Sequence, residues 1–202
     1  MKKKLNKFDD YFSFYTGTLN NVIKSLDKDK IYEFAELIEK TIKKNKTIYV
    51  CGNGGSHAIA NHFVCDYFKV LSQETNLKVK MKSLCSDDAL ISAISNDFSY
   101  DDVFLYQAER LITNDDILIL ISSSGNSKNI KKVLNFTNKK KIKSIGLCSF
   151  SGGYLKKNCT IPIYSKINNY GISEDVNHII MHFVMQYIKI SNLTKNIKNP
   201  IL

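Results

Sequence analysis

Helical spacing runs through the first 45 residues. Tyr11, Phe12, Phe14, Tyr15, Leu19, Val22, Ile23 and Leu26 recur at a period of about 3.6 residues, and Ile31, Phe34, Leu37, Ile38 and Ile42 continue the pattern. The period then changes. Short apolar runs occupy 47–51, 78–84, 117–121, 143–148 and 159–164, each bounded by turn-forming residues. Such runs suit strands buried on both faces of a parallel sheet. Helical patterns alternate with them at about 56–70, 87–95, 101–112, 127–139 and 172–192. In the last of these, Val176, Ile179, Ile180, Phe183, Val184 and Tyr187 read as one core stripe. Strand–helix alternation predicts an α/β fold, a doubly wound five-stranded parallel sheet with N-terminal helices. We divide the chain into a helical segment at 1–45, a sheet domain at 46–193 and a tail at 194–202.

In doubly wound sheets, ligands bind beyond the carboxyl ends of the strands. Gly52-Asn53-Gly54-Gly55-Ser56-His57 follows the first strand, and Ser122-Ser123-Ser124-Gly125-Asn126-Ser127 follows the third. Both lead into helices, whose first N–H groups attract anions. Glycine admits close approach of the backbone, and serine adds hydroxyl donors. Either loop alone is accounted for as a tight turn with a helix cap. Two of them at strand ends point to a phosphate or sugar-phosphate site, with Ser122, Ser123, Ser124 and Ser127 as its anion seat. The spacing matches neither a nucleoside-triphosphate loop nor a dinucleotide loop.

Composition adds limits. Lys and Arg number 29 against 19 Asp and Glu, a net charge of +10. That sign favours anionic partners. Yet Arg110 is the single arginine, and dedicated phosphate or base readers favour the forked guanidinium. The Lys-rich stretches at 2–4 and 139–141 have no aromatic interleaving, so nucleic acid is not expected as a partner. No apolar run reaches the roughly 18–20 residues of a membrane span, and the start has no signal-peptide core. The expected location is the cytoplasm. Five cysteines without paired spacing fit small buried residues in a reducing compartment.

Two helices carry candidate metal chemistry. His62 and Asp66 are four apart and share a helix face. Glu174, His178 and His182 repeat the spacing on the last helix and span about 80° of its circumference. Two polar groups from each helix can meet at one divalent cation, and imidazole with carboxylate suits zinc. The plainer account is a helix-stabilising charge pair on one helix and acidic residues favouring the dipole at the start of the other.

In this order, VCGNGGSHAIANHF (50–63), AISNDFSYDDVF (93–104), ILILISSSGNSKNI (117–130) and EDVNHIIMH (174–182) resemble the sugar isomerase (SIS) domain family. Within it they resemble the heptose-phosphate isomerase branch. The resemblance implies a flavodoxin-like SIS sheet and a homotetramer with active sites between subunits. It implies substrate contacts from Asn53, Gly54, Gly55, Asn96, Asp97, Glu174 and the four serines, and zinc bound through His62 and His182. Asp66 stands where the family has Glu, Glu174 where it has Gln, and Asn177 where it has a further His. The implied reaction converts a phosphorylated ketose, sedoheptulose 7-phosphate, to its aldose for the heptose of surface polysaccharides. Asp66, Glu174 and His182 are its candidate proton carriers, and the residues leave open which carboxylate is the base. The alternatives are an isomerase of a different sugar phosphate and a non-catalytic SIS module, binding a sugar phosphate or a replication initiator, which has no use for a four-residue metal set.

Overall fold

The computed structural model describes residues 7–193. The expected tail at 194–202 lies outside them, as do residues 1–6. Two helices lead the chain, α1 (Phe8–Lys24) and α2 (Lys28–Lys43). Asp27 starts the second by accepting the Asp29 and Lys30 N–H groups at 3.1 Å, which satisfies two of the orphan donors of its first turn.

Five parallel strands follow: β1 (Thr47–Gly52), β2 (Lys80–Ser83), β3 (Ile117–Ile121), β4 (Lys143–Cys148) and β5 (Ile161–Tyr164). Their order is β2-β1-β3-β4-β5. The expected doubly wound sheet is therefore present. Central β3 is buried at all five positions, as its unbroken ILILI run requires. The outer strands β2 and β5 are each four residues long, shorter than their apolar runs suggested. Short edges limit unwanted pairing, and an edge tolerates the missing N–H of Pro162.

The connecting helices are α3 (Gly55–Glu74), α4 (Asp88–Asp97), α5 (Val103–Leu111), α6 (Lys128–Lys139), α7 (Gly153–Asn158) and α8 (Tyr170–Ser191). The helix anticipated at 101–112 begins instead as a single 3-10 turn, Tyr100–Asp102. No apolar period announces α7, which follows two glycines held at positive φ, Gly152 and Gly153. No helix among the described residues is long and apolar enough to cross a membrane.

The stripe of α8 divides. Val176, Ile180 and Val184 are buried, but Ile179, Phe183 and Tyr187 are 36%, 57% and 37% exposed. The helix is apolar around more of its circumference than its neighbours α1, α2 and α3 cover. Phe8, Tyr11, Phe12 and Phe14 of α1 are likewise exposed. Cys51, Cys85 and Cys148 are buried and unpaired, as expected. Burial pushes the Cys148 thiol up to about 12, which makes it inert.

Candidate functional site

The strand order reverses between β1 and β3, whose neighbouring carboxyl ends carry the two glycine- and serine-rich loops. That is the switch point at which an open α/β sheet leaves a crevice. A cleft of about 160 Å³ lies there, lined by Asn53, Ser56, Ser122, Ser123, Ser124, Ser127, Tyr170 and Glu174. All four expected serines reach it. Ser122 and Ser123 are each 5% exposed.

A chain of hydroxyls fixes the cradle from behind. Ser173 Oγ donates to Ser123 Oγ at 2.8 Å, and Ser149 Oγ bridges Ser173 and Ser165 at 2.7 and 2.5 Å. Ser149, Ser165 and Ser173 are buried, so these bonds set the direction in which the loop hydroxyls point. The sequence offered no signal for this relay, because its members are scattered over three loops and a helix. Asn53 is also held. It exchanges two amide hydrogen bonds with buried Asn129, both 2.9 Å, and accepts a third from Tyr100 Oη at 2.9 Å. Its carbonyl is thereby used, leaving one amide N–H for a ligand.

Gly54 and Gly55 start α3. Gly54 has φ +56°, which favours glycine. At Gly55 the reason is a neighbour, since a Cβ there would lie 2.2 Å from Glu174 Oε1. The Glu174 carboxylate therefore rests against the N-terminus of α3, where helix polarity favours an anion.

The second cluster lies farther along α3 and α8. These helices pack together, with Tyr67 Oη donating to the Met181 carbonyl at 3.1 Å. Asp66 sits between two imidazoles, with Oδ1 3.3 Å from His62 Nε2 and Oδ2 3.1 Å from His182 Nε2. The donor atoms of His62, Asp66 and His182 all lie within 4.8 Å of one another. The structure does not bring Glu174 into this group. It is eight residues before His182, about 12 Å along the helix, and its side chain turns to Gly55. Asn96 and Asp97 end α4, exposed and bonded to each other, and do not line the cleft of their own chain.

His178 arrives unannounced by any spacing to His62. Its ring centre is 5.6 Å from that of His62 and 6.2 Å from that of His182. Burial, then the two neighbouring imidazoles, lower its pKa, so the ring stays neutral near pH 7. Two imidazoles and a carboxylate with converging donors fit a zinc-type cation by chemistry and spacing.

The profile of the SIS domain family matches residues 10–149, more than half the chain. The chain belongs to the SIS domain family. It is 30% identical over 177 residues to the phosphoheptose isomerase of Aliarcobacter butzleri, covering 88% of this chain and 93% of that protein. It is 31% identical over 161 residues to phosphoheptose isomerase 1 of Campylobacter jejuni, covering 80% and 86%. A phosphoheptose isomerase structure from Francisella tularensis superposes with a TM-score of 0.80 at 26% identity, over 93% of this chain and 99% of that one. These relatives place the chain among enzymes, specifically the sugar-phosphate isomerases.

Proposed function

We propose that this SIS protein converts sedoheptulose 7-phosphate to D-glycero-D-manno-heptose 7-phosphate in the cytoplasm, for surface polysaccharide synthesis. One observation carries the reading: the serine cleft is bordered by the N-terminal ends of α3 and α8, the same two helices that carry the His–Asp cluster about two turns farther along α8. That separation suits a substrate whose phosphate is several carbons from its carbonyl. The names of the relatives supply the heptose.

In this reading, Ser122, Ser123, Ser124 and Ser127 hold the phosphate, with α3 and its Gly54-Gly55 start contributing N–H groups. Asn53 offers its remaining amide N–H to a sugar hydroxyl. His62, Asp66 and His182 hold zinc. When bound, the metal supplies charge that polarises the oxygens at the reacting carbons. Asp66 is committed between two imidazoles, so Glu174 is the carboxylate left to carry a proton. It removes a proton from C1 of the ketose; the C–H electron pair forms the C1–C2 double bond while the C2 carbonyl oxygen takes up a proton, giving the enediol, and the C1 hydroxyl then gives up its proton to become the aldehyde carbonyl as Glu174 returns a proton to C2. His182 then serves the cation rather than the proton.

The protein acts as a homotetramer with shared sites. His62 and His182 side chains are 42% and 44% exposed, and exposed Ile179 and Phe183 flank them on α8. An apolar groove of Ile23, Ile31, Tyr32, Ile179, Phe183 and Tyr187 continues that face, and such patches mark interfaces. Asn96 and Asp97 then serve a site shared between protomers.

Incubation with sedoheptulose 7-phosphate in D2O tests the reading. Deuterium at C2 of the aldose product is expected, with slower turnover of shorter ketose phosphates. Absence of turnover with any ketose phosphate, in an intact oligomer, would favour the non-catalytic module.

A further inference from the structure

We propose that Ser173 is a positioning residue for the anion seat: through a one-way chain of buried hydroxyls it makes Ser123 a hydrogen-bond donor toward the cleft, the sense that an oxyanion such as a phosphate dianion requires. The inference rests on the phosphate seat proposed above and adds what sets its hydrogen-bonding sense.

The direction of the chain follows from counting hydrogens. A serine hydroxyl has one hydrogen to donate and lone pairs to accept with. Ser173 Oγ spends its hydrogen on Ser123 Oγ at 2.8 Å. Its 2.7 Å contact with Ser149 Oγ is then a hydrogen bond only if Ser149 donates. Ser149 has no second hydroxyl hydrogen, so its 2.5 Å contact with Ser165 Oγ needs Ser165 as the donor. The Cys148 carbonyl also lies within reach of Ser165, but at 3.4 Å, too long to compete with the nearer oxygen. The hydrogens therefore run from Ser165 to Ser149, to Ser173 and to Ser123.

Ser123 receives this chain and is fixed on its other side by the main chain. Its carbonyl accepts the Ser149 N–H at 2.8 Å, and the Ser122 N–H beside it is bound to the Leu147 carbonyl at 3.0 Å. Of the hydrogen bonds among the described residues, the Ser123 hydroxyl takes part in one, as acceptor. Ser123 borders the cleft and is 5% exposed. Its own hydrogen is thus left to a group in the cleft, and polarisation along the chain strengthens it as a donor.

Filling space does not account for the chain. Ser149, Ser165 and Ser173 are at most 2% exposed, and burying hydroxyls carries a desolvation cost that apolar side chains of similar size avoid. Ser173 also immediately precedes Glu174 on α8, so the turn that steers the anion seat carries the proposed proton carrier as well.

Titration of the purified protein with inorganic phosphate, followed by phosphorus NMR, tests this, with isomerase kinetics beside it. Ser123→Ala and Ser173→Ala should each weaken phosphate binding on the order of tenfold, the scale of one hydrogen bond to a charged group. The double variant should bind no more weakly than Ser123→Ala alone. With sedoheptulose 7-phosphate, Ser173→Ala should raise KM more than it lowers kcat. Ser173→Thr keeps the hydroxyl and should bind phosphate about fivefold tighter or more than Ser173→Val, which has the same shape. Unchanged affinity in Ser173→Ala, losses that multiply in the double variant, or equal affinities for the Thr and Val variants would overturn the inference. The hydroxyl would then serve packing alone, and only the unfolding midpoint would move. Failure of wild type to bind phosphate would remove the anion seat and the inference with it. The expected phosphate pattern in a protein that turns over no ketose phosphate would support the inference and overturn the isomerase reading.

Discussion

Replacing Gly55 by Ala separates the chemistry of the site from the stability of the fold. The added Cβ would lie 2.2 Å from Glu174 Oε1, whereas ordinary contact begins at 3.4 Å. The carboxylate must therefore retreat by about 1.2 Å. It is the end of a flexible side chain, so the displacement is cheap for folding. Alanine also gains up to about 1 kcal/mol in helix propensity over glycine, and no positive φ is required at this position. The unfolding free energy should change by less than about 1 kcal/mol. Turnover should fall much further, because misplacing a reacting group by about 1 Å can cost on the order of 100-fold. Isomerase kinetics and thermal unfolding on Gly55→Ala, Glu174→Ala and the double variant form the assay. If the alanine acts by moving Glu174, the double variant should be no slower than Glu174→Ala alone. Rate losses that multiply, or Gly55→Ala turning over like wild type, would refute the assignment of Glu174 as proton carrier.

Further outcomes follow from other parts of the molecule. His182→Ala should weaken zinc binding and lower turnover at least about tenfold, since it removes a contact of the metal site. Its half-exposed side chain makes little contribution to packing, so circular dichroism and unfolding should change little. Phe183→Glu places a charge in the exposed apolar face of α8 and should split the proposed homotetramer in sedimentation velocity, while each chain stays folded. Tyr15 Oη donates to Asp175 Oδ2 at 2.6 Å, tying α1 to α8, and this bond pushes the tyrosine up to about 12. A tyrosine whose folded pKa lies above the usual value of about 10 contributes fully below that pH and loses its contribution as pH rises toward 12. Tyr15→Phe should cost about 1 kcal/mol or less at neutral pH, and its deficit in chemical denaturation should shrink between pH 10 and 12.

The sheet was readable because parallel strands buried on both faces need continuous apolar runs, as ILILI shows. The two loops were readable because tight turns and anion seats restrict residue choice to Gly, Ser and Asn. Their convergence on one cleft followed from strand order. Other features leave no such pattern. Ser173, Ser149 and Ser165 are far apart in sequence, and only folding joins their hydroxyls. Helical spacing put Glu174 and His182 on one face, but it did not reveal that Gly55 leaves room to hold the Glu174 carboxylate away from His62, Asp66 and His182. Periodicity on α8 reports apolarity alone, so it does not separate the buried Val176, Ile180 and Val184 from the exposed Ile179, Phe183 and Tyr187. For α7, a six-residue helix after two glycines is too short to show a period.

In the proposed function, His62, Asp66 and His182 gather a cation that serves isomerisation of a sugar phosphate seated on the serine loop. Its most direct test is turnover of sedoheptulose 7-phosphate before chelation, after chelation and after adding back one zinc per chain. Activity should be lost with the metal and restored by it. Full activity in protein verified to be metal-free would contradict it.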